Sequence, residues 1–141
     1  MKVRFPDGTV VTARSLAERR ERDADRDFGL YMDAAWRPTW DAHVIEWADF
    51  GLPTDPIQAA RSIVAAFKRA KVGERIEVGC VGGLGRTGTV LACMAVLAGV
   101  PVNDAVRWVR ANYHSEAIER AAQERWVEWF AEQVVPDEVG K

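Results

Sequence analysis

Cysteine is scarce in this chain: 141 residues hold two, Cys80 and Cys93. Two thiols cannot staple a disulfide scaffold, so a hydrophobic core must hold the fold, and a reducing, cytoplasmic setting is expected. Histidine is as rare. His43 and His114 lack partners at metal-ligand spacing, so no metal site is expected. An excess of one charge is also missing. Lys and Arg number 19 against 21 Asp and Glu, a net charge of −2. That balance leaves no electrostatic footprint for nucleic acid or an anionic membrane, and any basic site must be local. Long hydrophobic runs are absent too. The longest, from Val90 to Val100, is far too short to span a bilayer. The opening Met1–Gly8 has no apolar h-region, so no secretory leader is expected. Repeats, low-complexity stretches and linkers are lacking as well. What remains is 48% hydrophobic and 28% charged, the make-up of one compact domain over residues 1–141.

The elements follow from periodicity. Residues 2–12 alternate as a β-hairpin turned at Pro6-Asp7-Gly8. Dense mixed charge over 14–27 reads as a solvated helix or loop in which Arg19, Arg20 and Arg22 have no assigned role. Residues 28–32 and 43–47 read as short strands, joined by a loop holding Trp36, Pro38 and Trp40. Thr54 or Asp55 caps a helix that has Pro56 in its first turn. Ile57, Ala60, Ile63, Val64 and Phe67 mark its buried face. Gly73 follows, and Ile76-Glu77-Val78 is a strand running toward Cys80. Val90 to Leu97 is apolar all round, which marks a buried helix, ended by Gly99 and Pro101. Val102, Ala105, Val106 and Val109 give the next helix. Ile118, Ala122, Trp126, Trp129 and Phe130 give the last, starting near Ser115. The order predicts an α/β fold: a single domain with a mainly parallel central sheet flanked by helices.

The chemistry concentrates in Cys80-Val81-Gly82-Gly83-Leu84-Gly85-Arg86-Thr87-Gly88-Thr89. A thiol opens a glycine-rich loop between a central strand and a buried helix, and a guanidinium closes it. Such a loop can wrap a tetrahedral oxyanion with inward N–H groups above a helix N-terminus. Arg86 can grip two oxygens through its planar fork. Cys80, as the thiolate, can attack the bound atom. A departing alcohol oxygen then needs a proton. Asp49, in Trp47-Ala48-Asp49-Phe50-Gly51-Leu52-Pro53, is the candidate donor.

Together these segments resemble the cysteine-dependent protein tyrosine phosphatase superfamily, with its Cys-x5-Arg-Ser/Thr phosphate loop and its Trp-Pro-Asp-Phe-Gly-x-Pro acid loop. Ala48 stands where the acid loop usually has proline. The resemblance implies a small tyrosine or dual-specificity-like phosphatase working through a cysteinyl-phosphate. It implies that Cys80 is the nucleophile, that Arg86 binds phosphate and steadies the transition state, and that Asp49 is general acid and then base. It further implies that Thr87 hydrogen-bonds the sulfur and that the amides of Val81, Gly82, Gly83, Leu84, Gly85 and Arg86 cradle the phosphate. No metal or cofactor is implied. Gly79 replaces the histidine that usually precedes the nucleophile. Glu119 and Gln123 fall where some members carry two water-positioning glutamines, which makes Gln123 a candidate for that role.

Other readings compete at the loop. Gly83-x-Gly85-x-x-Gly88 fits a dinucleotide-binding turn, although no acidic residue ends a strand about 20 positions on. A phosphate-binding module without turnover, sulfur transfer and arsenate reduction share the Cys-x5-Arg pattern. The substrate expected is a phosphorylated protein, phosphotyrosine first, or a small phosphomonoester. Neutral Val81 and Leu84 disfavour a polyphosphorylated inositol. No nucleic-acid or membrane partner is expected, and the oligomeric state is left open.

Overall fold

The computed structural model describes residues 1–16, 26–33, 38–48 and 50–138. Five strands form one mixed sheet: β1 (Lys2–Arg4), β2 (Val10–Ser15), β3 (Phe28–Tyr31), β4 (Ala42–Val44) and β5 (Ile76–Cys80). Their spatial order is β1-β2-β5-β3-β4. β1 and β2 are antiparallel, as a hairpin must be, and every other neighbouring pair is parallel. The α/β architecture expected from the sequence is therefore present, with β5 at its centre. The second strand predicted over 43–47 is shorter and earlier, because Trp47 pairs across the chain with Pro53 instead.

Four helices accompany the sheet: α1 (Pro56–Lys71), α2 (Gly85–Leu97), α3 (Val102–Asn112) and α4 (Ala121–Glu138). Asp55 caps α1 by accepting from the Gln58 N–H at 3.1 Å, which satisfies one orphan donor of the first turn. Ala59, Ala60, Ile63, Ala66, Phe67 and Ala70 form its buried face. Ile57, expected there, is exposed. All 13 residues of α2 are buried, so α2 is the central pillar against which α1, α3 and α4 pack. None of the helices among the described residues is long and apolar enough to cross a membrane.

The last helix starts at Ala121, six residues later than Ser115. The apolar spacing of Ile118 suits a helix, but its backbone has φ 64°, outside any helical turn. Its carbonyl and that of Ala117 accept from Arg110 of α3, each at 2.9 Å. Those tertiary bonds hold residues 117 and 118 out of α4.

Strand alternation sorts the two sheet faces. Val3, Val11, Ala13, Leu30, Ile76 and Val78 share one face and join the helices in a single core. The opposite face carries Thr12, Arg14, Tyr31 and Glu77. Glu77 is 3% exposed, and a buried carboxylate needs compensation. It accepts from Arg14 Nε at 2.7 Å, Arg26 Nε at 3.1 Å and Tyr31 OH at 2.5 Å. Trp40 Nε1 donates to the same Tyr31 oxygen at 2.8 Å. This network ties β2, β5 and β3 across the sheet centre.

Burial first, and the Glu77 bond second, push the Tyr31 phenol well above its ordinary value of 10. The phenol thus keeps its proton in the fold at pH values where the unfolded chain releases it. Its contribution is full below pH 10 and falls as pH rises above that value. Tyr31→Phe should therefore destabilise by about 1–3 kcal/mol at neutral pH, by removing a donor from a buried carboxylate. It should also flatten the loss of stability in alkali. Urea melts at pH 7 and pH 10.5 check both, and an unchanged alkaline slope would count against this account.

Candidate active site

β5 delivers Cys80 to the carboxyl end of the sheet, and α2 starts five residues later at Gly85. Groups remote in sequence hold the carbonyls of the connecting loop. Ser15 Oγ donates to Val81 O at 2.6 Å, Tyr113 OH donates to Gly83 O, and the Ile118 N–H donates to Leu84 O at 3.1 Å. In a trans peptide the N–H points opposite to the C=O. The three bonds therefore turn the amides of Gly82, Leu84 and Gly85 away from those partners. Gly83 has φ 76°, a conformation that glycine adopts without steric cost.

The Cys80 sulfur receives two donors. The Gly83 N–H reaches it at 3.2 Å and the Thr87 hydroxyl at 3.0 Å. One donor comes from the loop and the other from the first turn of α2. Cys93 differs. It is wholly buried in α2, and desolvation pushes its thiol well up, so it is a core residue, as its apolar surroundings in sequence suggest. Both cysteines are free.

Arg86 lies in the first turn of α2 and is 4% exposed. Its Nη1 donates to Met32 O at 2.7 Å and to Trp47 O at 2.9 Å. Those carbonyls sit beyond the ends of β3 and β4, so one guanidinium spans the carboxyl edge of the sheet and its plane is fixed. The Trp47 indole in turn donates to Gly51 O at 2.8 Å. The Trp47–Pro53 bridge and this bond close the base of the segment proposed from sequence to carry an acid. Asp49 itself lies outside the described residues, as do Arg19, Arg20, Arg22 and Trp36.

Gly79 precedes Cys80, and its missing side chain has a local reason. A Cβ there would come within 3.0 Å of Arg14 O and of Leu16 Cδ2. Leu16 and the Arg14 carbonyl crowd this position of β5, so a larger residue there would require both neighbours to shift. Gln123 borders the loop from α4. Its amide nitrogen, and Glu119 Oε1, occupy the space a Cβ on Gly85 would need.

The structure thus gathers Cys80, Arg86, Thr87 and the loop residues Val81 to Gly85 in one place, with Gln123 at its border. Ser15, Tyr113 and Ile118, which position the loop, carried no signal in the sequence, since each acts across 30 residues or more. The dinucleotide alternative does not survive. β5 is the last strand among the described residues, whereas that fingerprint opens a unit with further strands after it.

Comparison with known proteins gives the family and the fold. The family model described as protein-tyrosine phosphatase matches residues 7–121. The uncharacterized protein MJECL20 of Methanocaldococcus jannaschii is 34% identical over 110 residues, covering 70% of this chain and 71% of that protein. Among solved structures, PTPMT1 superposes with a TM-score of 0.73 at 15% identity, covering 100% of both chains. A PTPMT1 complex with PI(5)P gives 0.69 at 14% identity, over 96% of this chain and 97% of that one. Kinase associated phosphatase gives 0.71 at 16% identity over 96% of each. With a family model spanning most of its length and a phosphatase fold throughout, the chain belongs to the protein-tyrosine phosphatase family of phosphoric monoester hydrolases.

Proposed function

We propose that the protein hydrolyses phosphomonoesters on proteins, phosphotyrosine first, through a cysteinyl-phosphate intermediate. The observation that carries this reading is the pair of donors on the Cys80 sulfur, from Gly83 N–H and Thr87 Oγ1. A thiol held this way is prepared to be a thiolate nucleophile. The amides of residues 81–86 cradle the phosphate, and Arg86 binds two of its oxygens. The thiolate forms the S–P bond as the P–O bond to the leaving group breaks, and Asp49 gives the departing oxygen its proton. Water then attacks phosphorus and Asp49 takes a proton from it. The S–P bond breaks with its electrons returning to sulfur, where the Thr87 hydroxyl stabilises them. No step calls for a metal or cofactor. A reducing cytoplasm suits a mechanism that needs Cys80 unoxidised.

Substrate choice rests on the rim. Val81 and Phe50 are exposed apolar residues, and Arg120 lies over the Phe50 ring at 4.8 Å. An aromatic ester suits an apolar rim better than a second phosphate does. A small phosphomonoester is the competing reading, supported by the PTPMT1 complex with PI(5)P. A panel of phosphotyrosine, phosphoserine and phosphothreonine peptides with a phosphoinositide decides between them. Phosphotyrosine peptide should lead by kcat/KM. Equal rates on all three peptides would remove tyrosine selectivity, and a leading phosphoinositide would establish the competing reading.

A further inference from the structure

Gln123 is completely buried, and both ends of its amide are engaged. Oε1 accepts from the Glu119 N–H at 3.0 Å and the Arg120 N–H at 3.2 Å. Nε2 donates to Gly51 O at 3.4 Å, the carbonyl that also accepts from Trp47 Nε1. A glutamine oxygen has two lone pairs, and here two backbone donors take them. A residue that oriented the hydrolytic water through this oxygen would have to give up one of those bonds.

The same side chain joins three parts of the site. Its oxygen holds the turn into α4, where the Ile118 N–H reaches Leu84 O. Its nitrogen lies beside Gly85, in space open because Gly85 has no Cβ. That nitrogen reaches Gly51, whose N–H donates to Ala48 O at 2.9 Å, on either side of Asp49 in the sequence. Through those bonds the loop over the nucleophile and the 47–53 segment share one buried anchor.

We infer that Gln123 is a positioning residue for the first chemical step: it sets the 47–53 segment from which Asp49 protonates the leaving group, and it does not handle the water of the second step. This rests on the hydrolase reading. The two steps leave different kinetic signatures. kcat/KM reports events up to formation of the cysteinyl-phosphate, and acid assistance matters most for basic leaving groups. Hydrolysis of the cysteinyl-phosphate appears in kcat alone and is blind to the group already lost.

The test compares native protein with Gln123→Ala on p-nitrophenyl, phenyl and other aryl phosphates of graded phenol acidity. kcat/KM should fall about threefold for p-nitrophenyl phosphate and about thirtyfold for phenyl phosphate, the spread expected for impaired acid catalysis. In an Asp49→Asn background the same change should cost less than about twofold, because the two residues act as one unit. Should Gln123→Ala not fold, Gln123→Glu carries the comparison, since it keeps an acceptor for Glu119 and Arg120 and loses the donor to Gly51. A loss independent of the leaving group, in kcat or in kcat/KM, overturns the inference. A full additional loss in the Asp49→Asn background does so as well. Native protein inert toward every ester overturns the hydrolase reading, and the inference with it.

Discussion

Cys80→Ser should abolish turnover while leaving the protein folded. Serine is close in size, and its oxygen can keep the Gly83 N–H and Thr87 hydroxyl as partners, so the loop retains its shape. What is lost is ionisation. A thiol can supply a thiolate nucleophile, whereas a serine hydroxyl in the same place stays neutral and is a poor nucleophile. Removing a nucleophile of this kind costs about 10⁵-fold or more in kcat, judged by how covalent hydrolases respond. The melting temperature should move by no more than a few degrees, roughly the effect of 1 kcal/mol in a domain of this size. Rates on p-nitrophenyl phosphate beside a thermal melt make the measurement. Residual activity above about 1% of native would show that some other group attacks phosphorus, since loss of a true nucleophile is far larger.

Arg86→Lys separates charge from geometry. Lysine keeps the positive charge but has no planar fork. It cannot hold Met32 O and Trp47 O as the guanidinium does while also presenting two donors to a phosphate. The first consequence is catalytic: loss of bidentate stabilisation in the transition state should lower kcat/KM by about 10³-fold. The second is structural. Met32 and Trp47 are buried, and leaving their carbonyls without a charged donor should cost about 2–4 kcal/mol. The two effects should therefore appear together, unlike Cys80→Ser, where activity falls alone. Denaturant melts read the stability, and phosphate inhibition reads the anion site. A variant that loses activity with unchanged stability would mean that the two carbonyl bonds do not hold the sheet edge together.

The part of the site legible in the sequence is the part encoded locally. A strand, a run of glycines and an apolar helix in direct succession leave the chain few other shapes, so β5, the loop and α2 were readable. Thr54 or Asp55, with Pro56, marks the start of α1 through one turn of capping chemistry, and the structure assigns the cap to Asp55. The unread part depends on pairings between distant residues. Nothing around Ser15 marks it as a donor to Val81, 66 positions away. Nothing around Glu77 reveals that Arg14, Arg26 and Tyr31 will converge on it, since its neighbours read only as a strand. The start of α4 at Ala121, later than the expected Ser115, has the same cause. Ile118 has helical spacing, but Arg110 and Leu84 claim its backbone, and periodicity carries no trace of that competition.

The three hydroxyl and amide donors that hold the Cys80 loop come from β2, from the end of α3 and from the turn before α4. Contacts so far apart along the chain close late in folding, after the entropy of long loops has been overcome. The thiol is therefore made at residue 80, but its loop has all three of these bonds only when residues 113 to 118 have been synthesised and docked. A chain that ends before residue 113 lacks two of the three bonds that shape this loop, so the loop belongs to the finished fold and not to its own stretch of sequence.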